Sequence, residues 1–440
     1  MKTKAHSLVV QARVMRRYGS RILTLLIACT IALPVFAGLA AAEEKWNEDG
    51  WLRTSIAEDR LLLGDEFGCY GMPHLSTFND PGAVANECTE YIQSRIPASI
   101  WGEQPLSIYT PQGLTMTQHQ IIKDQGYPVH GDLTGIEAHA WHTNQSPKDI
   151  WDWFNLGRRG GSLEQSLSDV NQLNVALEEG GLVNLYWVGR VNDATIRHDG
   201  EIVDILREEP AWMTTWGEAW SYWSAHRCYQ LDHGVDQTSN GTTVIYFESL
   251  ITETCSSVQT DVWNVPVTWM LDFNGSTHSS IDSSSENFNN IEFERSTKEG
   301  WFENETLLYL SVKKGTRISI HFDSNDTEYD IMGITDFWNN HSTAVTIAGH
   351  ATNDLFQWSK RFDDDPFLRF TWLVIPRNLE DGGDWIPYAV VGVSAGSIAI
   401  MFYFIRRDVS LSGDIKYIEN KTYTPHSERR VDFEEEEAQV

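Results

Sequence analysis

The chain has 440 residues, with 62 acidic against 33 basic side chains and a formal charge of −29 at pH 7. So negative a field excludes nucleic acid and an anionic lipid surface as partners of the folded part, and it suits cation binding or a salty exterior. Tryptophan is abundant, at 18 residues, which leaves two uses to weigh, aromatic core and ring-stacking platform.

Lys2, Lys4, Arg13, Arg16, Arg17 and Arg21 form a basic stretch ahead of the apolar run from Ile22 to Leu39. Ala40-Ala41-Ala42 then precedes Glu43 and Glu44, the pattern of a secretory signal peptide over 1–42; an uncleaved signal anchor is the alternative. At the far end, Trp385 to Ile405 carries no charge. At 1.5 Å per residue it is long enough to cross a hydrocarbon core of roughly 30 Å. Arg406 and Arg407 follow, which puts the C-terminal side in the cytoplasm. The expectation is a single-pass protein of the cell membrane, held in lipid by Trp385–Ile405, with its N-terminal ectodomain outside. Residues 406–440 form a disordered acidic cytoplasmic tail, ending in Glu434 to Glu437.

Of five cysteines, Cys29 lies in the signal segment. Cys69, Cys88, Cys228 and Cys255 remain, an even number for an oxidising compartment. Cys69–Cys88 with Cys228–Cys255 is the economical pairing, although four cysteines allow three. Asn-x-Ser/Thr acceptors for glycosylation occur at Asn144, Asn240, Asn274, Asn304, Asn325 and Asn340.

Along the ectodomain, Leu61-Leu62-Leu63 reads as a buried strand that ends at Gly64-Asp65-Glu66. The stretch from Phe67 to Pro111 is irregular. Thr115 to Asp124 predicts a helix stopped by Gly126 and Pro128. Thr134 to Ala138 predicts a second strand. Ser162-x-x-Gln165 reads as a capping box for a helix carrying Leu163, Leu167, Val170 and Leu177, which Gly180-Gly181 ends. Leu182 to Val188 predicts a strand and Ile202 to Leu206 a helix. Thr215-x-x-Glu218 is a second capping box, within a stripe of Trp212, Trp216, Trp220 and Trp223 that reads as a helix face packed on a sheet. From Thr242 the pattern turns to strands: Thr242–Ile251, Trp263–Phe273, Thr306–Val312, Arg317–Phe322, Ala344–Ala348 and Leu368–Ile375, with Ser279 to Asn290 as a polar loop. The expected fold is an α/β domain over 43–240, a distorted parallel β/α barrel or sheet, followed by an all-β sandwich over 241–380 and the transmembrane helix at 385–405.

Parallel α/β folds gather functional groups at the C-terminal ends of their strands. Three groups are expected there: Asp65-Glu66, His139 with His142, and Asn192-Asp193 with His198-Asp199 beyond. A carboxylate and two histidines can hold a divalent metal, with a second carboxylate as base. A lone Asp-Glu pair is also a common helix cap. No Gly-x-Ser-x-Gly, P-loop, HExxH or dinucleotide fingerprint appears.

The order of Asp65-Glu66, Glu137-Ala-His139-Ala-Trp141-His142, His198-Asp199-Gly-Glu-Ile-Val-Asp-Ile-Leu206 and Ala211-Trp212 through Tyr222-Trp223 resembles the NodB-type polysaccharide deacetylases. The resemblance covers roughly residues 60–227. It implies a distorted β/α barrel, Asp65 as catalytic base, Glu66, His139 and His142 on a divalent metal such as zinc, and Asp193 or His198 as the opposing acid. Trp141 and Trp187 would then line a carbohydrate site. The family spaces its metal histidines i, i+4, where this chain has i, i+3, and its late-strand histidine has only His198 as a substitute. Leu61-Leu-Leu-Gly-Asp65-Glu66 with Gly189-Arg-Val-Asn192-Asp193 is also similar to SGNH esterases, with Glu66 standing where their serine nucleophile would be. The non-enzymatic alternative is a cell-surface binding or adhesion protein on a degenerate barrel.

Overall fold

The computed structural model describes residues 49–377 except 139, 142–150, 189–196, 238–241, 253–261, 286–287 and 325–326, together with residues 396, 399, 400, 402, 403 and 406. The signal-like segment, the tail beyond 406 and most of Trp385–Ile405 fall outside the described residues. Among the described residues no helix is long and apolar enough to cross a membrane. The described residues from 49 to 377 fall within one compact unit, to which every element below belongs.

The first helix, Ser55–Leu63, starts at Thr54, whose side chain accepts from the Ala57 N–H, and stops at Gly64, where φ is 101°. Only glycine adopts that left-handed value without strain. The Leu61-Leu62-Leu63 run is therefore a helix end and not the expected strand. The first strand, β1 (Glu66–Cys69), begins after it. Asp65 and Glu66 open this strand instead of following one.

A parallel sheet joins β1 to β15 (Phe370–Val374), β14 (Thr343–Thr352), β3 (Gly181–Trp187) and β2 (Gly161–Ser162), in that order, with β4 (Trp212–Met213) against β14. Parallel bridges Cys69–Ile108, Ser107–Val129 and Val129–Trp153 carry the array on by three further segments beyond β1. β1 and β15 are buried throughout and β14 nearly so, as expected of parallel strands covered on both faces. The runs Ala344–Ala348 and Leu368–Ile375, expected among the later β-rich strands, complete this sheet instead. β14 pairs with β3 in register from Thr343–Gly181 to Gly349–Trp187. Their sequences are largely apolar, broken by Thr346 in one and Asn184 in the other, and composition alone does not tell a parallel strand from a sandwich strand.

The strands of two further sheets, antiparallel apart from one edge pair, lie between β4 and β14 in the chain. β5 (Tyr229–Gln237), β6 (Thr243–Ile251), β12 (Arg317–Phe322) and β8 (His278–Ser283) make one sheet. β13 (Asp330–Ile334), β7 (Val267–Asp272), β11 (Leu307–Val312), β10 (Gly300–Asn304) and β9 (Asn289–Asn290) make the other. Burial alternates along β6 and β12, so one face of that sheet is inward. Phe273, just past β7, meets Phe322 of β12 at 4.9 Å between ring centroids. The polar segment 279–290 is thus not simply a loop: it supplies β9 and most of β8, both at sheet edges.

The helix Trp216–Cys228 ties these parts together. Thr215 caps it, accepting from the Glu218 N–H. Trp216, Trp220 and Trp223 are at most 2% exposed, and Gly217, Glu218, Ser221 and Ser224 on the other faces are buried too. This helix is covered all round, not on one stripe. Trp216 Nε1 donates to Asn184 Oδ1 of β3 at 2.8 Å, and the Tyr222 hydroxyl lies 2.8 Å from Thr335 Oγ1, beyond β13. The helices expected at 115–124 and 202–206 are present as Met116–Asp124 and Gly200–Glu208. The one expected from Ser162 starts later, at Val170 under an Asp169 cap, because Gly161 and Ser162 are taken by β2. Residues 134–138 form no strand. Cys69 and Cys88 are bonded, joining β1 to the helix Pro81–Gln93. Cys228 is also in a disulfide, and Cys255 lies outside the described residues.

Candidate functional site

A group of polar side chains meets at the C-terminal ends of the parallel strands. Strand alternation puts Thr346, Ala348 and His350 of β14 on one face. Gly349 between them is required by close packing: a Cβ there would sit 2.4 Å from the Trp372 ring. Asp132 follows the short segment through Val129, after Gly131 turns the chain at φ 105°. Arg158 follows the Trp153 segment, in a loop held by Asn155 Nδ2 donating to the Ile136 carbonyl at 2.6 Å.

His350 Nε2 lies 2.9 Å from Asp132 Oδ2, and Arg158 Nε donates to the same oxygen at 3.0 Å. Asp132 is 1% exposed and His350 3%. Burial pushes the Asp132 carboxyl up, but the neighbouring His350 and Arg158 outweigh it and hold the group below its usual range. An ionised Asp132 only accepts hydrogen bonds, so Nε2 of His350 is the donor, and in the neutral imidazole Nδ1 is then the nitrogen with the lone pair. No hydrogen bond to Nδ1 exists among the described residues.

Three tyrosines wall this pair. Tyr70 continues β1, and its N–H donates to the Val374 carbonyl. Tyr109 continues the next segment and donates to the Cys69 carbonyl. Their rings stack at 4.6 Å, and each meets the His350 imidazole edge-on, at 6.2 and 5.4 Å. Tyr186 of β3 lies under the Arg158 guanidinium at 4.0 Å, and Trp216 meets His350 at 6.5 Å. Burial pushes both phenols above their ordinary values, with Tyr109 and then Asp132 adding to it at Tyr70 and Asp132 adding to it at Tyr109. They stay protonated at neutral pH and can donate. A carboxylate-oriented imidazole with one basic nitrogen, beside neutral phenols, is suited to moving a proton and polarising a carbonyl.

The residues singled out from sequence lie elsewhere. Asp65 is at the N-terminal end of β1 and buried. Its carboxylate accepts from Arg60 Nε at 2.6 Å, Trp372 Nε1 at 2.7 Å and the Phe370 N–H at 3.0 Å. Glu66 points to the opposite face of the strand. It accepts from the Gly217 N–H at 2.8 Å and Thr371 Oγ1 at 3.0 Å, and so caps the tryptophan-rich helix. Burial pushes its carboxyl up. Asp65, expected as the base, and Glu66, expected on the metal, thus face away from each other. Among the described residues no three His, Cys, Asp or Glu side chains are grouped to hold one. His139, His142 and Asp193 lie outside the described residues.

Trp141 is 3% exposed and stacks on Phe337 at 4.8 Å, while Trp187 is fully buried edge-on to Phe362 at 5.4 Å. Neither presents an open face. The His198 backbone makes an isolated antiparallel β-bridge with Glu164, and its ring rests on Phe362 at 5.2 Å, so Phe362 brings it near Trp187. Asn274, Asn304 and Asn340 are exposed, and Asn144, Asn240 and Asn325 lie outside the described residues.

Sequence reasoning missed Asp132, Arg158, His350 and the tyrosines. The available signal was Gly131-Asp132 after a short apolar segment, and His350 ending the run Val345–Gly349. Comparison of the chain with protein families, curated proteins and solved structures returned no match.

Proposed function

We propose that the chain is a membrane-anchored cell-surface hydrolase that cleaves acyl groups from carbohydrate, with His350 as its proton-transfer residue. The observation that carries this reading is the buried Asp132–His350 pair at 2.9 Å, with Arg158 on the same carboxylate. In such a site water adds to the acyl carbon while His350 Nδ1 takes its proton. The Tyr70 or Tyr109 hydroxyl donates to the carbonyl oxygen as charge builds there. The imidazolium, stabilised by Asp132, then protonates the leaving amine or alcohol, and acetate is released. The stacked tyrosines offer a sugar ring an apolar face.

Acetate release from acetylated oligosaccharides by the full-length protein tests the proposal. His350→Gln should lower kcat by about 10²-fold or more, the usual worth of general acid–base catalysis. Asp132→Asn should lower it as well while leaving the melting temperature of the ligand-bound protein above that of the free one. Unchanged turnover in His350→Gln refutes the mechanism. The stacked tyrosines also favour a second reading, a carbohydrate-binding module without turnover. Saturable oligosaccharide binding with no acetate released, lost in Tyr109→Ala, selects it.

A further inference from the structure

At the opposite end of the parallel strands lies a cavity of about 240 Å³, lined among others by Gly64, Trp101, Glu218, Lys298 and Arg369. It belongs to neither the His350 site nor any interaction described above. Glu218 is 4% exposed, and Thr214 Oγ1 donates to it at 3.0 Å. Arg369 gives Nη1 to the Pro366 carbonyl at 2.6 Å and Nη2 to Ser296 Oγ at 2.9 Å. Its Nε lies over Gly64, where a Cβ would be only 3.1 Å away. Neither Glu218 nor Arg369 is in a direct ion pair with a described residue, although each lies in the other's field and Arg369 also in that of Asp65, and Arg369 Nε has no acceptor among the described residues. Lys298 at the rim is paired with Glu294 at 2.8 Å.

Two charges of opposite sign, buried Glu218 and partly buried Arg369, thus line one space, each held by neutral hydrogen-bond partners and neither in a direct ion pair. A simple anion would satisfy Arg369 and be repelled by Glu218; a simple cation would suffer the reverse. The complement is a dipolar molecule, and the space is smaller than the range that drug-sized ligands fill, about 300 Å³ upwards. Leu62, Ile100 and Met213 add apolar wall, which suits a short hydrocarbon side chain. We propose that this cavity binds a small zwitterion of the apolar α-amino acid class, its carboxylate on Arg369 and its ammonium on Glu218.

Calorimetric titration of the full-length protein at pH 7.5 with leucine, acetate and ethylammonium tests this. Leucine should bind saturably, with the two half-ligands at least tenfold weaker. Arg369→Gln and Glu218→Gln should each weaken leucine at least tenfold, while His350→Gln binds it like the wild type, which separates this site from the one above. The comparison of the three probes on wild-type protein stands even where a variant does not fold. No saturable leucine binding overturns the proposal, as does acetate or ethylammonium binding as tightly as leucine.

Discussion

The His119–His130 pair makes the protein acid-sensitive in a calculable way. Both rings are fully buried, with Nδ1 atoms 2.7 Å apart and Phe154 stacked on His130 at 4.6 Å. His130 Nε2 faces the Tyr127 carbonyl at 2.8 Å, so that nitrogen carries the proton and its Nδ1 accepts from His119. A proton added to either ring finds no acceptor in place. Burial, then repulsion from His119, pushes His130 down to about 3, from 6.5 for the unperturbed group. The unfolded chain therefore binds more protons than the native one between these values. The stabilisation is complete above pH 6.5 and is lost as pH falls toward 3. At pH 5 the gap is about 1.5 units, and at 1.36 kcal/mol per unit the loss is about 2 kcal/mol from His130 alone. The assay is urea unfolding followed by tryptophan fluorescence at pH 5, 6 and 7, on wild type and His130→Gln. Subtracting the variant removes the pH dependence of the many surface carboxylates. The wild type should lose about 2 kcal/mol more than the variant between pH 7 and pH 5. Parallel pH profiles would refute the assigned protonation of the pair.

Asp65→Ala should destabilise the fold by about 3–5 kcal/mol, because it leaves Arg60 buried and unpaired. Acetate release per folded molecule should be unchanged, and a selective loss of turnover would restore Asp65 to the site. Replacing both Cys69 and Cys88 by serine should cost about 3 kcal/mol in chemical denaturation by the chain-entropy relation, given their separation of 19 residues; equal midpoints would contradict it. Burial pushes Glu218 up to about 6 from 4.5, so its favourable contribution is present below pH 4.5 and lost as pH rises through 6. Glu218→Gln should thus gain up to about 2 kcal/mol relative to wild type at pH 7 and nothing at pH 4; a gain that does not vary with pH would show that charge is not the cause.

Local chemistry was legible in the sequence wherever a few neighbouring residues decide the outcome. Thr115 with Gln118 makes a reciprocal cap, so the helix Met116–Asp124 follows from four residues. Thr215 likewise caps the tryptophan-rich helix, and the short separation of Cys69 from Cys88 pointed to their bond. The composition of Arg317–Phe322 marked a strand, and its burial alternates so that one face is inward. What the sequence left open depends on contacts far apart in the chain. Leu61-Leu62-Leu63 has the composition of a buried strand; its helical state is set by the Thr54 cap, the Gly64 stop and docking against the rest of the fold. That single difference moved Asp65 and Glu66 from the functional end of the sheet to its other end. Thr343–Thr352 and Phe370–Val374 read like the antiparallel strands that precede them. Only pairing with β3 and β1, more than 150 residues earlier, makes them parallel. His350 meets Asp132 across 218 residues, and no periodicity or spacing encodes such a meeting. Local propensity is written in neighbouring residues, whereas a site built from strand ends exists only once the sheet has chosen its order.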